Sequence, residues 1–283
     1  MQYTNPELPE GINTSKEHPL KEFFWLTSGV IASIAALALI LVLLADFIVD
    51  YIPYSWEQQL SIPFASSNDT EQTPEPVEAY LQDLADRLSS VQDLPEGMHI
   101  KVHYINKGTI NAFATLGGHV FFFRGLLEKM PNENALAMVM AHEIAHIKYR
   151  HPIHGLGRGV IIGILMSVIN SAMGDAIMQK FLNDAGYLTV LKFNRDMEND
   201  SDDDAIKALL SLYGHLNGAD DLFLMLQRES DSNETFEFFS THPLTEKRIN
   251  NLRAKANQQT TTLASRVTPL PDAFNQWLAH QDK

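Results

Sequence analysis

The part of this sequence best suited to chemistry is His142-Glu143-Ile144-Ala145-His146. A spacing of four puts both imidazoles on one helix face. There they can share one Zn2+ at roughly 2.0–2.1 Å each. Glu143, next to the first histidine, can reach an attacking water as general base. The plain alternative is an exposed helix that happens to carry His and Glu. Two imidazoles leave a tetrahedral site short of a third protein ligand. The chain has no cysteine, so that ligand must be His, Asp or Glu. A downstream stretch, Asn194 to Asp202, offers one. Glu198 and Asp202 lie four apart and share a helix face. Glu198 could complete a His2Glu set with the fourth position open. Asp202 could then accept a ring N–H from a ligating histidine. The competing view is that Asp196, Glu198, Asp200, Asp202, Asp203 and Asp204 form a solvated acidic cluster, favourable near a helix N-terminus.

Several elements must position these groups. Asn132 is suited to cap a helix running to about Tyr149, and Glu133 to Arg150 contains no Pro or Gly. A second helical stretch opens near Asn194. Upstream, Ala79, Leu81, Leu84, Ala85 and Leu88 follow a helical period. Ile100 to Ile105 and Val120 to Phe123 read as strands, the second after the turn signal Gly117-Gly118. From Gly125 onward the chain reads as mostly helical. His151 and His154 read as part of a loop after the active helix, near Pro152. The apolar run at 160–169 is short for a membrane span and reads as core. His99, His103, His119 and His215 show no partner pattern.

The 283-residue chain is 45% hydrophobic and carries a formal net charge of −14, which argues against nucleic-acid binding. Residues 1–22 are polar and read as a tail. Phe23 to Ala45 carries no charge, and roughly 20 apolar residues suffice to cross a bilayer. This gives a division into an N-terminal cytoplasmic tail (1–22), a transmembrane anchor (23–49), a flexible spacer (50–76) and a metallopeptidase domain (77–283). Lys16 and Lys21 precede the apolar run, and no Lys or Arg follows it until Arg87. Lys and Arg bias sets orientation, so the N-terminus is expected in the cytoplasm and the main domain on the outer, periplasmic side.

Four segments, taken in order, resemble the zinc metallopeptidases of the HtpX and CAAX prenyl endopeptidase family. They are Asn111-Ala112-Phe113-Ala114 with Gly117-Gly118-His119-Val120, then the HEIAH motif. Next comes Arg195-x-x-Glu198-x-Asp200-Ser201-Asp202, where Ser201 stands in place of the usual Ala. Last comes Thr241-His242-Pro243 followed by Arg248. The resemblance covers roughly Val77 to Leu252. It implies a mainly helical α+β fold of the gluzincin type with a short sheet. It also implies His142, His146 and Glu198 as ligands of one Zn2+ per chain, and Glu143 as catalytic base. Asp202 falls where the family has an acidic residue sometimes assigned as proton donor. Its position one turn from a ligand favours a supporting role at the metal instead. His242 falls where the family has a His near the reacting carbonyl, and Arg248 is expected to partner the acidic cluster. In that fold, Val120–Phe123 would offer an edge for an extended peptide.

The function expected from these features is zinc-dependent hydrolysis of peptide bonds in proteins at or near the membrane, with envelope protein quality control as the setting the family suggests. One rival is a membrane-tethered chaperone-like or binding module with a structural or inactive zinc site. The other is a zinc hydrolase acting on a non-peptide substrate. The sequence does not give the oligomeric state.

Overall fold

The computed structural model describes residues 19–68, 75–159, 193–230, 238, 242–243, 246–259 and 266–281. The apolar run at 160–169 and Thr241 of the sequence motif lie outside the described residues, as do residues 1–18 of the tail.

Helix α1 (Pro19–Val49) is the one helix among the described residues that is long and apolar enough to cross a membrane. Phe23, Phe24, Trp25, Leu26, Ile40 and Leu43 on it are all exposed, as expected of a span that meets lipid rather than protein. Next come α2 (Tyr54–Asn68) and α3 (Glu75–Ser89). Three short strands follow: β1 (Lys101–Ile105), β2 (Ala112–Ala114) and β3 (His119–Phe123). Helices α4 (Arg124–Glu128) and α5 (Glu133–Lys148) come next. Residues 151–159 are helical (α6). The remaining helices are α7 (Arg195–Tyr213), α8 (Asp221–Ser230), α9 (Glu246–Gln259) and α10 (Asp272–Gln281). The mainly helical α+β expectation holds.

Helix α5 is the centre of the core. Every residue from Glu133 to Ile147 is buried, which explains its lack of a polar face. Asn132 caps it as expected, its side chain accepting from the Ala135 amide at 2.8 Å. Glu133 in the first turn accepts from the Tyr80 and Tyr213 hydroxyls, each at 2.8 Å, so this buried carboxylate is paired. Helix α5 packs against α3, β2 and α7.

The sheet order is β1-β3-β2, with β1 and β3 parallel and β2 and β3 antiparallel. Val120–Phe123 is therefore the central strand, not the expected edge, because both of its sides are already hydrogen-bonded. The outer strand next to α5 is β2. Alternation sorts the two faces. Val102, Tyr104, Ala112, Ala114, Val120 and Phe122 join the main core. Phe113, Phe121 and Phe123 form a second cluster with Phe193.

Residues 50–76 are not simply a flexible spacer, since α2 occupies much of that stretch. Tertiary contact makes this helix, not its own apolar pattern. Glu57 is buried and pairs with Arg150 at 2.6 Å. Ser61 lies against the Gly117-Gly118 turn, where a Cβ on Gly117 (φ +74) would collide with it. A Cβ on Gly118 (φ +88) would likewise collide with the His99 carbonyl. These glycines are needed both for left-handed backbone and for close approach.

Candidate metal centre

Four side chains from three parts of the chain meet in the interior. Helix α5 supplies His142 and His146. Helix α7, capped by the Asn194 side chain on the Asp196 and Met197 amides, supplies Glu198. His242 comes from the short segment before α9. All four are buried, and each offers one ligand atom such that these atoms lie within 4.8 Å of one another. His146 Nε2 is 3.0 Å from His142 Nε2. Glu198 Oε2 is 3.5 Å from His142 Nε2, and Oε1 is 3.5 Å from His146 Nε2. His242 Nδ1 is 3.1 Å from Glu198 Oε1 and 3.3 Å from His142 Nε2. Ligand atoms at corners of a tetrahedron with bonds of roughly 2.0–2.1 Å stand about 3.3 Å apart. These five separations run from 3.0 to 3.5 Å, close to that spacing, with Glu198 meeting His142 through Oε2 and His146 through Oε1.

The outer partners are as specific as the inner ones. His142 Nδ1, on the far side of its ring from the cluster, is 3.0 Å from Asp202 Oδ1. Asp202 in turn takes two bonds from Arg248, Nε to Oδ2 at 2.6 Å and Nη2 to Oδ1 at 2.8 Å. Arg248 Nη1 also lies 2.6 Å from Glu198 Oε2 and donates to the Pro243 carbonyl at 3.0 Å. One buried guanidinium thus joins Glu198 and Asp202 of α7 to the segment that carries His242. Asp202 stands behind a histidine, a placement suited to orienting that ring rather than donating a proton at the centre.

Charge follows this arrangement. Burial opposes ionisation of His142, but the Asp202 and Glu198 carboxylates outweigh it and push its pKa up to about 9. Burial also works against the Glu198 carboxylate, yet His242 and His142 hold it well below the usual range. Burial and the neighbouring His142 drive His146 down. Glu143 is fully buried, and neither of its carboxylate oxygens has a hydrogen bond. His242 Nε2 lies 3.3 Å from its Oε1. A buried carboxylate left free of hydrogen bonds beside three histidines is a group held for another partner.

The acidic cluster read from the sequence divides by face. Glu198, Asp202 and Asp204 are buried, whereas Asp196 and Asp200 are exposed. Asp204 latches α7 to the end of α5 through Lys148 Nζ at 2.8 Å and the Tyr149 hydroxyl at 3.1 Å.

His151 departs from its expected place in a loop. It opens α6, is buried, and its Nδ1 is 2.8 Å from His146 Nδ1. Burial lowers its pKa to about 4, so it stays neutral and can accept the His146 Nδ1 proton. Arg150 has φ +57, and this left-handed residue turns the chain so that His151 folds back. A partner five residues from His146 fits no helical period, which is why spacing did not find it. Phe193 also escaped notice. Its ring stacks on His146 with centroids 3.9 Å apart.

Comparison with known proteins assigns a family to the stretch of chain that carries these residues. The profile of Peptidase family M48 matches residues 75–256. Over 209 residues the chain is 26% identical to the mitochondrial metalloendopeptidase OMA1 of Schizosaccharomyces pombe, covering 71% of this chain and 61% of that protein. It is 30% identical to the OMA1 of Saccharomyces cerevisiae, covering 58% of this chain and 50% of that protein. It is 32% identical to the beta-barrel assembly-enhancing protease of Escherichia coli, covering 54% of this chain and 34% of that protein. The matches span less than two thirds of the length of each of these relatives.

Proposed function

The chain belongs to peptidase family M48, and from that premise we propose that it is a membrane-anchored zinc endopeptidase cleaving proteins at or near the membrane. Protein quality control in the envelope is the setting. One observation carries this reading: His142, His146 and Glu198 bring buried ligand atoms together beside the fully buried Glu143, whose carboxylate has no hydrogen bond. His142, His146 and Glu198 would hold one zinc per chain. Bound zinc supplies a positive centre that acidifies water and polarises the scissile carbonyl. Glu143 takes the proton of the attacking water and returns it to the leaving amine. His242 Nε2, close to Glu143, stabilises the developing oxyanion. Asp202 and His151 fix the two histidine rings from behind, and Arg248 pairs with Glu198 and Asp202.

Removing such outer partners typically costs 10–100-fold in metal affinity. His151→Ala should therefore weaken zinc binding by about that factor while the fold survives, as measured by competition with a chelating dye.

We keep the tail at 1–22, the anchor at 23–49 and the peptidase domain at 77–283, with α2 docked on that domain. Lys16 and Lys21 support a cytoplasmic N-terminus and an outer catalytic domain. A second reading follows from His242 Nδ1, which stands within the same cluster. With four protein ligands the site is closed, as in structural zinc sites. The test is cleavage of casein by the full chain in detergent. The enzyme reading expects cleavage that a chelator stops and zinc restores, and that His242→Ala lowers. Cleavage that rises in His242→Ala would support the closed site. Cleavage indifferent to the chelator would overturn the proposed mechanism.

A further inference from the structure

The end of the membrane helix is built into the peptidase domain. Asp46 is the first charged residue after the apolar run of α1. Its carboxylate meets Arg158 of α6 in a two-pronged pair, Nε to Oδ1 at 2.9 Å and Nη2 to Oδ2 at 3.1 Å. His154 Nδ1 lies 3.4 Å from the same Oδ1. Between these helices, Val49, Ile153 and Leu116 are buried together, with Ile52 and Leu156 packed against them. The backbones come close where Ala45 faces Gly157.

A second contact reinforces the first. The last carbonyls of a helix lack intrahelical donors, and Arg150 supplies one to Val49, the last residue of α1. Its guanidinium donates to the Val49 carbonyl at 3.2 Å and to the Ile52 carbonyl at 2.6 Å, while pairing with Glu57 of α2. Arg150 lies two residues past the end of α5, the helix that carries His142 and His146. Exposed Phe47, Tyr51 and Trp56 ring this junction, and aromatic side chains of this kind settle at membrane–water interfaces.

Building on the reading of α1 as an anchor, we propose that Asp46, Arg158 and Arg150 form a clasp that fixes the active site at one height above the bilayer. They are positioning residues that select substrates by the distance of the cleavable bond from the membrane. A loosely tethered domain would sample many heights, whereas a rigid one concentrates its site at one.

The test uses the full chain in phosphatidylcholine–phosphatidylglycerol vesicles. It exploits the absence of cysteine. The Ala45 Cβ lies 3.8 Å from the position a Cβ on Gly157 would take, the usual Cβ separation in a disulfide, about 3.8 Å. Ala45→Cys with Gly157→Cys should cross-link under mild oxidant. Adding Asp46→Asn or Arg158→Gln should reduce the cross-link, and the exchange Asp46→Arg with Arg158→Asp should restore it. No cross-link in the parent pair, or equal cross-linking in every variant, would overturn the clasp. This arm needs no activity, so it judges the clasp even if the peptidase reading fails.

The second arm compares casein with peptides tethered to lipid through spacers of increasing length. The parent chain should show a sharp spacer optimum. Asp46→Asn should cleave casein at the parent rate but lose roughly tenfold at that optimum. A spacer profile unchanged in Asp46→Asn would contradict the role in substrate selection.

Discussion

Glu143→Gln should abolish turnover while leaving the metal in place. Glu143 is fully buried and neither carboxylate oxygen is hydrogen-bonded, so the amide inherits no structural role that the carboxylate had. Gln has nearly the same volume and the same helix propensity class, so α5 and its two histidines stay where they are. What is lost is the proton acceptor. General-base removal typically costs about 10²–10⁴-fold, and the fall should appear in kcat, because the base acts in the transition state rather than in substrate binding. Zinc content and melting temperature should match the parent chain. Glu198→Gln provides the contrast. It removes a charge from the cluster and a partner from Arg248, so it should lower metal content as well as activity. Casein cleavage and metal content measured on the same samples separate the two roles. A Glu143→Gln chain as active as its parent would remove the base from the mechanism.

Arg248→Met should strongly destabilise the domain. The guanidinium is buried, pairs with Glu198 and Asp202, and holds the Pro243 carbonyl. Burial raises the energy of both carboxylates, and Arg248 is the cation that offsets this for Asp202. Removing one partner of a buried ionic cluster typically costs about 3–5 kcal/mol. In a domain of this size that is a fall of roughly 10 °C in melting temperature. Met keeps the apolar stem and removes the guanidinium, so the loss is mainly that of charge and hydrogen bonding, with a contribution from the space the guanidinium filled. Arg248→Lys keeps the charge but not the fork that spans two carboxylates, and should fall between the two. The drop should shrink when zinc is added, since the cation then compensates Glu198. Calorimetry with and without zinc checks both parts. A melting temperature unchanged in Arg248→Met would refute the charge assignment.

What was legible in the sequence was whatever the helical period could carry. His142 with His146 and Glu198 with Asp202 are pairs at spacing four, and each pair does share a face in the structure. Asn132 was legible as a cap because its side chain acts three residues away. His242 and Arg248 were legible only through the order of motifs, since nothing local marks either one. Other features depend on contacts that no period encodes. His151 reaches His146 because Arg150 takes a left-handed conformation. Helix α2 exists because Glu57 meets Arg150, 93 positions downstream, and Ser61 lies against Gly117, while Pro63 and the Ser-rich sequence around it speak against a helix. The edge expected at Val120–Phe123 came with the family resemblance, and it fails because β3 has a hydrogen-bonded neighbour on each side; the three residues of Ala112–Ala114 are too few to show alternation.

Metal content of the purified full chain tests the central claim most directly. One zinc per chain is expected in the parent protein, with loss of the metal in both His142→Ala and His146→Ala, read by elemental analysis against protein concentration. Full zinc occupancy in either variant, or no zinc in a parent chain that still cleaves casein, would contradict the assignment of this cluster as the metal site.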